Sequence, residues 1–350
     1  MTRRDAPATE EGWYALHDFR RIDWDAWREA PDNERDRALA EGVEFLRDRE
    51  NLSDAEQGGS AVFTVAGHEA DIMVLHLRPQ TEQLDRIERA FEHTALAGFT
   101  ERTDSYVSVT EISGYVTEEL EAGIENIEDD GTRNYMLQRL YPSIPDAEHV
   151  CFYPMDKRRD PEYNWYDLSF EERKEHMSSH GEIGREYAGQ VSQIITGSVG
   201  LDDHEWGVTL FADDPTDIKH LLYEMRFDPS TSKFAEFGSF HVGRRFPPED
   251  LPALLASETV PTDDAEVESG SSQPSESDES TSSDDGGSSD RPDADPAHEV
   301  VETGTLEQEI HRFGIDVDEH ADAGHGLLFE SDADAAELTE AVDGLRGNFD

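Results

Sequence analysis

The feature of this sequence that most constrains its fold is an order of strands and helices, βαββαβ, that is predicted twice before residue 250. In the first pass, WYALHDF reads as a strand and a polar helix follows from about residue 23 to residue 49. The strands SAVFTVAG and ADIMVLHL are joined by a Gly-His turn and lead into the helix TEQLDRIERAFEHTAL and the strand SYVSVTEIS. This order is that of a ferredoxin-like unit.

The second pass repeats the order with different residues. The strand HVCFYPM precedes a helix around SFEERKEHMSSHGEIGREYA, where Ser169 and Glu172 have the spacing of a capping box. A hairpin of QVSQIITGSVG and EWGVTLFAD, a helix PTDIKHLLYEMRF and a last strand FAEFGSFHVG complete the unit. The repetition predicts an α+β protein with tandem ferredoxin-like domains at 11–125 and 126–257, after a flexible N-terminus at 1–10.

The composition changes abruptly near Glu258. Residues 258–298 are mainly Ser, Asp, Glu, Gly and Pro, with no aromatic residue, and this predicts a disordered acidic linker. Residues 299–350 contain a possible strand, HGLLFES, and an amphipathic helix, DADAAELTEAVDGLR, which together predict a small α/β segment.

The charge of the chain indicates where such a protein works. Asp and Glu number 82 against 29 Lys and Arg, which gives a formal net charge of −53. Surface carboxylates repel one another little in molar salt, where the Debye length is about 3 Å, so we expect a halophilic cytoplasmic protein. So acidic a surface argues against nucleic-acid binding, which needs an extended basic face.

Neither a targeting segment nor a disulfide is expected. The N-terminal MTRRDAPATEEG has no apolar stretch, and no run of about 18 apolar residues suggests a membrane span. The single Cys151 cannot form an internal disulfide, and its neighbours place it in a strand core.

Two histidines of the second half could bind a metal. His176 and His180 are four residues apart, so they lie on one side of the same helix. A zinc site would need further ligands and lacks an HExxH signature, whereas surface or hydrogen-bonded core histidines are the ordinary alternative. A third hypothesis makes His180, beside Gly181, the axial ligand of a heme iron.

A cationic run follows the predicted strand that contains Tyr153. Lys157, Arg158 and Arg159 are consecutive in a chain otherwise poor in positive charge. Such a run is usually solvated, but here it could bind a ligand with several carboxylates, because a half-buried carboxylate needs a cationic partner.

Long motifs in the second half resemble the coproheme decarboxylases of the chlorite dismutase-like superfamily. They are YPMDKRR, NWYDLSFEERKEHMSSHGEIGREYAGQVSQIITGSVGLDDHEWGVTLFADDP and YEMRFDPSTSKFAEFGSFHVG. The resemblance covers roughly residues 10–250, weakly in the first half and strongly in the second. It implies ferredoxin-like domains, a dimeric-α/β-barrel-like subunit and a homopentamer with one heme pocket per subunit.

The same resemblance assigns roles to individual residues. His180 lies at the position of the iron ligand, Tyr153 at that of the radical-forming tyrosine, and Lys157 at that of the lysine beside the reactive propionate. Arg139 and Arg226 match propionate-holding positions. Two further ligand contacts are implied, Tyr141 near those arginines and Gln193 at the distal position, where chlorite dismutases carry arginine.

The implied reaction is the hydrogen peroxide-dependent decarboxylation of two propionates of iron coproporphyrin III (coproheme), which yields protoheme (heme b). Two alternatives stay open. One is a heme-dependent peroxidase or chlorite-degrading enzyme, which Gln193 disfavours. The other is a non-enzymatic heme-binding or carrier protein whose acidic tail recruits a partner such as a ferrochelatase.

Overall fold

A computed structural model describes residues 6–113, 124, 127 and 129–262 of the chain. All of the predicted α/β segment at 299–350 and most of the predicted linker at 258–298 lie outside the described residues. Every helix in the described part is too short or too polar to cross a membrane.

The first half follows the predicted order, with a divided first helix and a short additional strand, Thr100–Arg102, as the two differences. The elements are β1 (Thr9–Ile22), α1 (Trp24–Glu29), α2 (Asp32–Glu50), β2 (Gly59–Thr64), β3 (Ile72–Arg78), α3 (Thr81–Phe91), β4 (Thr100–Arg102) and β5 (Tyr106–Ser113). The single helix predicted at 23–49 is wrong: two helices occupy this region, with Pro31 at the N-cap of the second. Proline removes a backbone donor and favours an extended preceding residue, and Ala30 is extended.

The second half also follows the predicted order. After α4 (Asp130–Leu140) come β6 (His149–Lys157), α5 (Phe170–Glu186), β7 (Ser192–Gly197), β8 (Trp206–Ala212), α6 (Pro215–Met225), α7 (Pro229–Ser232), β9 (Ala235–Phe237), β10 (His241–Arg244) and α8 (Leu251–Leu255). The last predicted strand is therefore two short strands. Gly238 follows the first of them, where a Cβ atom would lie 2.7 Å from Pro154 Cγ.

Both halves share one antiparallel sheet, which confirms the predicted fold class. The strand order is β10-β6-β8-β7-β5-β1-β3-β2, with β4 on β1 and β9 on β6. The ends of this order meet through two isolated bridges, Phe63 with Arg245 and Ala66 with Val242. The sheet thus closes into a barrel, and we call the junction of these two bridges the β2–β10 seam.

The two faces of the sheet bury different sets of side chains. Alternation along β6 sends Phe152 to one face and Tyr153 to the other. The Phe152 face is the barrel interior, where residues of both halves pack together, including Phe19, Phe63, Leu75 and Phe211. The outer face of the second half packs against α5 and α6 and contributes Tyr153, Val208 and Leu210.

Candidate functional site

Helix α5 positions the predicted iron ligand near its middle. The helix begins after Ser169, whose side chain accepts a hydrogen bond from the Glu172 backbone, while the Glu172 side chain accepts one from the Ser169 backbone. This confirms the predicted capping box, which satisfies two donors that the first turn would otherwise leave open. His180 therefore projects from a helix with a well-defined start.

A buried carboxylate fixes the His180 ring. His180 Nδ1 donates a hydrogen bond to Asp228 Oδ2 over 3.1 Å, and the Asp228 side chain is fully buried. The Thr231 backbone N–H also donates to this oxygen, at 3.2 Å, because Asp228 is the N-cap of α7. With Nδ1 engaged, Nε2 is the ring nitrogen that can coordinate a metal, and a hydrogen-bonded carboxylate makes it a stronger ligand.

The role of Asp228 was not predicted from the sequence, although the residue lies in a recognisable motif. The run Asp228-Pro229 predicts an N-cap followed by a proline in the first turn. A local motif of this kind indicates a helix start but says nothing about a histidine 48 residues earlier. The pairing could be found only from the tertiary structure.

Around His180, α5 carries glycines in place of bulky side chains, and the sheet provides an apolar wall. A Cβ atom at Gly181 or Gly184 would come no closer than 3.6 Å to a neighbouring atom. The wall is the cluster of Tyr153, Val208 and Leu210, against which Ile183 of α5 packs. Such a site suits a flat apolar ligand better than a small polar one.

Tyr153 lies on this wall and is buried. Its ring stacks on Phe240 with centroids 4.6 Å apart and meets Phe237 edge-on at 5.6 Å. Burial raises the pKa of the Tyr153 hydroxyl, with nearby Arg226 opposing the shift. The phenol is therefore neutral at neutral pH and keeps its O–H hydrogen.

Lys157 ends the same strand and is almost completely buried. Its Nζ donates to the carbonyl oxygen of Ser230 at 3.1 Å and to the Ser230 hydroxyl at 2.9 Å, and it lies 4.4 Å from the centroid of the Trp165 ring. Burial lowers the pKa of Lys157 to about 8, against the attraction of Asp228 and Glu205. At neutral pH it is thus a cation that loses its proton unusually easily.

The strand continues without a turn from Tyr153 to Lys157. Because β6 runs through Met155 to Lys157, no turn shortens the distance between the two residues. Four residues of strand span about 13 Å, so the two side chains lie on the same face but well apart. They can act on different parts of one large ligand rather than on one atom.

The other two cations of the run pair with protein acids. Arg158 lies 3.7 Å from Glu236, and Arg159 forms a short ion pair with Glu205. These two arginines therefore pair with acids of the protein itself. Of the three consecutive cations, only Lys157 is enclosed by the protein.

Arg226 and Arg139 differ from Arg158 and Arg159 in their partners. Arg226 ends α6 with its guanidinium 4.5 Å from the Phe237 ring centroid, and Arg139 contacts Tyr135 through a 3.2 Å hydrogen bond. Neither forms an ion pair with a described residue, although the chain holds 82 acids. An arginine left without a carboxylate in so acidic a protein is available to an anionic ligand.

The remaining predicted contacts divide between two places. Gln193 is exposed on β7 and pairs in register with Leu210, so it faces the same side as Tyr153. Tyr141 follows α4 and contacts Trp13, with ring centroids 5.6 Å apart, and it belongs with Arg139 rather than with the residues around His180. His176 packs between Trp165 and Phe234 as an aromatic core residue.

A cavity of about 670 Å³ adjoins the His180 pair. Thr231, Arg226 and Phe237 line it, together with the acids Asp156 of β6 and Glu236 of β9. Its size is that of a small-molecule site, and Thr231 connects it to Asp228. The imidazole–carboxylate pair and Arg226, which forms no ion pair with a described residue, lie beside this cavity and could hold a metal-containing, anionic ligand.

Comparison with known proteins assigns the family. The sequence model of the chlorite dismutase family matches residues 35–246, which is more than half of the chain. The chain therefore belongs to the chlorite dismutase family, and the predicted chlorite dismutase-like membership is confirmed.

Two relatives that match are proteins of haloarchaea. A protein of Natronomonas pharaonis named "Putative heme-binding protein" is 58% identical over 350 residues, which is 100% of this chain and 57% of that protein. A protein of Haloarcula marismortui with the same description is 48% identical over 407 residues, covering 100% of this chain and 60% of its own length. The chain thus spans less than two thirds of the length of these relatives.

Solved structures support the fold. A heme-binding protein from Thermus thermophilus matches with a TM-score of 0.66 and 40% identity, over 72% of this chain and 98% of that one. A mutant chlorite dismutase from Candidatus Nitrospira defluvii matches with a TM-score of 0.56 and 18% identity, over 71% and 97% of the two chains. The second likeness supports the fold alone.

Proposed function

We propose that the chain binds coproheme through His180 and catalyses the peroxide-dependent decarboxylation of two of its propionates, which yields protoheme. The observation that carries this proposal is the His180–Asp228 pair, which leaves Nε2 as the metal-binding nitrogen of a partly exposed ring. The heme-binding descriptions of the haloarchaeal and Thermus thermophilus relatives support it.

The residues present fit an iron porphyrin. Neutral imidazole is a common axial ligand of heme iron, and the glycines beside His180 leave room along the helix. Arg226 and Arg139, unpaired among the described residues, are suited to hold carboxylates by bidentate hydrogen bonds. When bound, the iron porphyrin supplies the redox chemistry with peroxide.

The chain's own residues would divide the remaining work. Asp228 would hold the His180 ring with its N–H at Nδ1, and the apolar wall would exclude water. Tyr153 keeps its phenolic hydrogen because burial disfavours the phenolate; it would give that hydrogen up as an atom in the peroxide-driven oxidation and then take one hydrogen atom from a propionate side chain. Lys157, whose pKa is lowered to about 8, can supply a proton to a second propionate.

Mass spectrometry of the coproheme-loaded protein after peroxide addition tests this function. The proposal expects the loss of two CO₂ molecules per porphyrin. Tyr153→Phe should block the first loss, and Lys157→Ala should stall the reaction with three propionates remaining. Tyr106→Phe is a matched control, because Tyr106 is a buried tyrosine of the barrel interior that bonds to Ser198. Normal conversion by the Tyr153→Phe variant would contradict the role of that tyrosine.

The same experiment separates the alternatives. A peroxidase or chlorite-degrading enzyme would consume its oxidant while the porphyrin mass stayed constant, and a carrier would bind the porphyrin without consuming peroxide. Loss of the porphyrin absorption spectrum in His180→Ala but not in His176→Ala would locate the ligand, because both histidines lie on α5.

We also propose that the protein assembles as a homopentamer, as the family resemblance implies. Its relatives' greater length leaves open which further segments act with it. Sedimentation equilibrium in molar KCl should give five times the chain mass of 39.3 kDa. A monomer under those conditions would contradict this proposal without affecting the heme site.

A further inference from the structure

Three side chains from separate segments meet at one end of the barrel, on the side of the sheet opposite Tyr153. His68 lies in the connection from β2 to β3, Asp104 in the connection from β4 to β5, and His241 at the start of β10. One ligand atom from each lies within 4.8 Å of the others. Among the described residues, this is the one group of three such side chains so close together.

The two imidazoles lack the partners that buried polar groups normally have. His241 is 4% exposed, and neither of its ring nitrogens has a hydrogen-bond partner among the described residues. The buried Nδ1 of His68 is likewise unbonded, and the two ring centroids are 3.9 Å apart. Leaving buried donors and acceptors unpaired costs free energy, and a bound cation would engage one nitrogen lone pair of each ring.

We propose that His68, Asp104 and His241 bind one divalent transition-metal ion of the zinc type. Two imidazoles and a carboxylate are ligands that Zn²⁺ uses, and three protein ligands leave one position open. Asp104 is exposed, so that position can be filled by water. The site is separate from the proposed heme site and does not depend on it.

The three ligand atoms would have to move only slightly closer together to bind one ion. Ligand atoms around one tetrahedral Zn²⁺ are about 3.3 Å apart, so the present separations, none above 4.8 Å, would shrink by at most about 1.5 Å. The backbone that presents Asp104 is already held on both sides, since Thr103 N–H donates to the Phe19 carbonyl and Ser105 donates to Asp18. Gly67 has φ +70°, a left-handed conformation that a residue with a side chain would adopt at a cost, and it turns the chain into His68.

The surroundings of His241 could support a metal-bound ring. Backbone groups of Phe152 and Ser239 lie beside it, although neither ring nitrogen is placed to form a hydrogen bond. Once one nitrogen binds a metal, the other could turn to donate to one of these carbonyls, as metal-bound histidines usually do.

The metal would act on the weakest junction of the barrel. Across the β2–β10 seam the backbone pairing is limited to isolated bridges, including the hydrogen bond from Ala66 N to the Val242 carbonyl. His68 lies two residues after Ala66, and His241 directly precedes Val242. A shared ion would therefore tie the two sides of the seam together.

Metal titration of the full-length protein tests the proposal. Protein treated with EDTA and dialysed into molar KCl would be titrated with Co²⁺ and Zn²⁺ in excess Mg²⁺, which occupies weak carboxylate sites on the acidic surface. One Co²⁺ per chain with a four-coordinate absorption spectrum, displaced by Zn²⁺, is the expected result. Zn²⁺ should also raise the thermal unfolding temperature.

Variants show whether these residues are the ligands. His68→Gln and Asp104→Asn should each weaken Zn²⁺ binding by at least about tenfold, and both sites are exposed enough for the protein to fold. His93→Gln, which changes an exposed histidine of the same half, and His180→Ala should bind as the parent does. Equal Zn²⁺ affinity in all four variants, or no uptake beyond that of Mg²⁺, would overturn the proposal.

Discussion

At the scale of single residues, the candidate site consists of ionisable groups whose hydrogen bonding or pKa is set by burial. Asp228 is fully enclosed and accepts hydrogen bonds from the His180 ring and from the N-terminus of α7. Burial lowers the pKa of Lys157, and burial keeps the phenol of Tyr153 protonated. Each of these states follows from the position of the side chain in the fold, which its place in the sequence does not reveal.

Replacing Asp228 by Asn should weaken the hold of His180 on iron. The neutral amide accepts a weaker hydrogen bond from Nδ1, so Nε2 becomes a poorer ligand, and we expect an affinity about 10–100-fold lower. The Fe(III)/Fe(II) reduction potential of the heme-loaded protein should rise, because the ferric state loses an electron-rich ligand. Spectroelectrochemistry and heme-transfer kinetics measure both effects.

A second buried aspartate provides the control. Asp250 is 5% exposed and accepts hydrogen bonds from the backbone and hydroxyl of Thr262, at 2.6 and 2.7 Å. Asp250→Asn should lower stability without moving the reduction potential. If Asp228→Asn leaves the potential of the bound heme unchanged, its carboxylate does not tune the ligand.

Lys157→Met should change how stability depends on pH. The pKa of Lys157 is about 8 in the folded chain and 10.5 ordinarily, so between these values the unfolded chain binds more protons and stability rises with pH. Removing the amine should abolish that rise, which amounts to at most about 3 kcal/mol. Urea unfolding from pH 7 to pH 10.5 measures it.

The matching substitution at an exposed lysine is Lys219→Met, on α6. Its pH profile should run parallel to that of the parent. Parallel profiles for the parent and Lys157→Met would mean that this amine titrates normally in the folded protein.

At the scale of elements, the repeated βαββαβ order was readable because amphipathic periodicity and turn residues are local signals. The points at which predicted helices and strands are interrupted were harder to predict from the sequence. Pro31 breaks the first helix, and Gly238 ends β9 because Pro154 lies against it, a contact between residues 84 positions apart in the sequence. The barrel seam and the His180–Asp228 pair likewise depend on tertiary contacts, so a pattern along the chain could not reveal them.

Ser169→Ala should destabilise the helix that carries His180. The substitution removes the side-chain acceptor of the capping box and should cost about 1 kcal/mol in the free energy of unfolding. Denaturant unfolding measures this, with Ser179→Ala as control, because Ser179 is an exposed position inside the same helix. An equal loss in both variants would mean that capping is not the cause.

At the scale of the whole molecule, the charge of −53 sets the conditions in which the fold is stable. Many surface carboxylates of the described residues do pair with arginine, as in Arg47 with Glu249 and Arg102 with Glu88. The excess of acids nevertheless leaves most of the negative charge uncompensated. Exposed ion pairs contribute little individually, so they do not offset this repulsion.

The unfolding temperature should therefore rise steeply with KCl concentration. Screening shortens the Debye length from about 10 Å at 0.1 M to about 3 Å at 1 M and so weakens the repulsion between surface carboxylates. Calorimetry from dilute buffer to multimolar KCl measures the trend, and sucrose at matched osmolality controls for solute exclusion. A flat profile in KCl would mean that the acidity has another cause.

The chain carries a single thiol, and the fold hides it. Cys151 is 5% exposed on the outer face of β6, and burial raises its pKa to about 12, so its reactive thiolate is scarce at neutral pH. A cysteine introduced on the surface, for example in place of the exposed Phe227, would consequently be the one that maleimide reagents modify. Spin or fluorescence labels can then be placed at chosen positions without first removing the native sulfhydryl, which gives direct access to distances between subunits in any assembly that the protein forms.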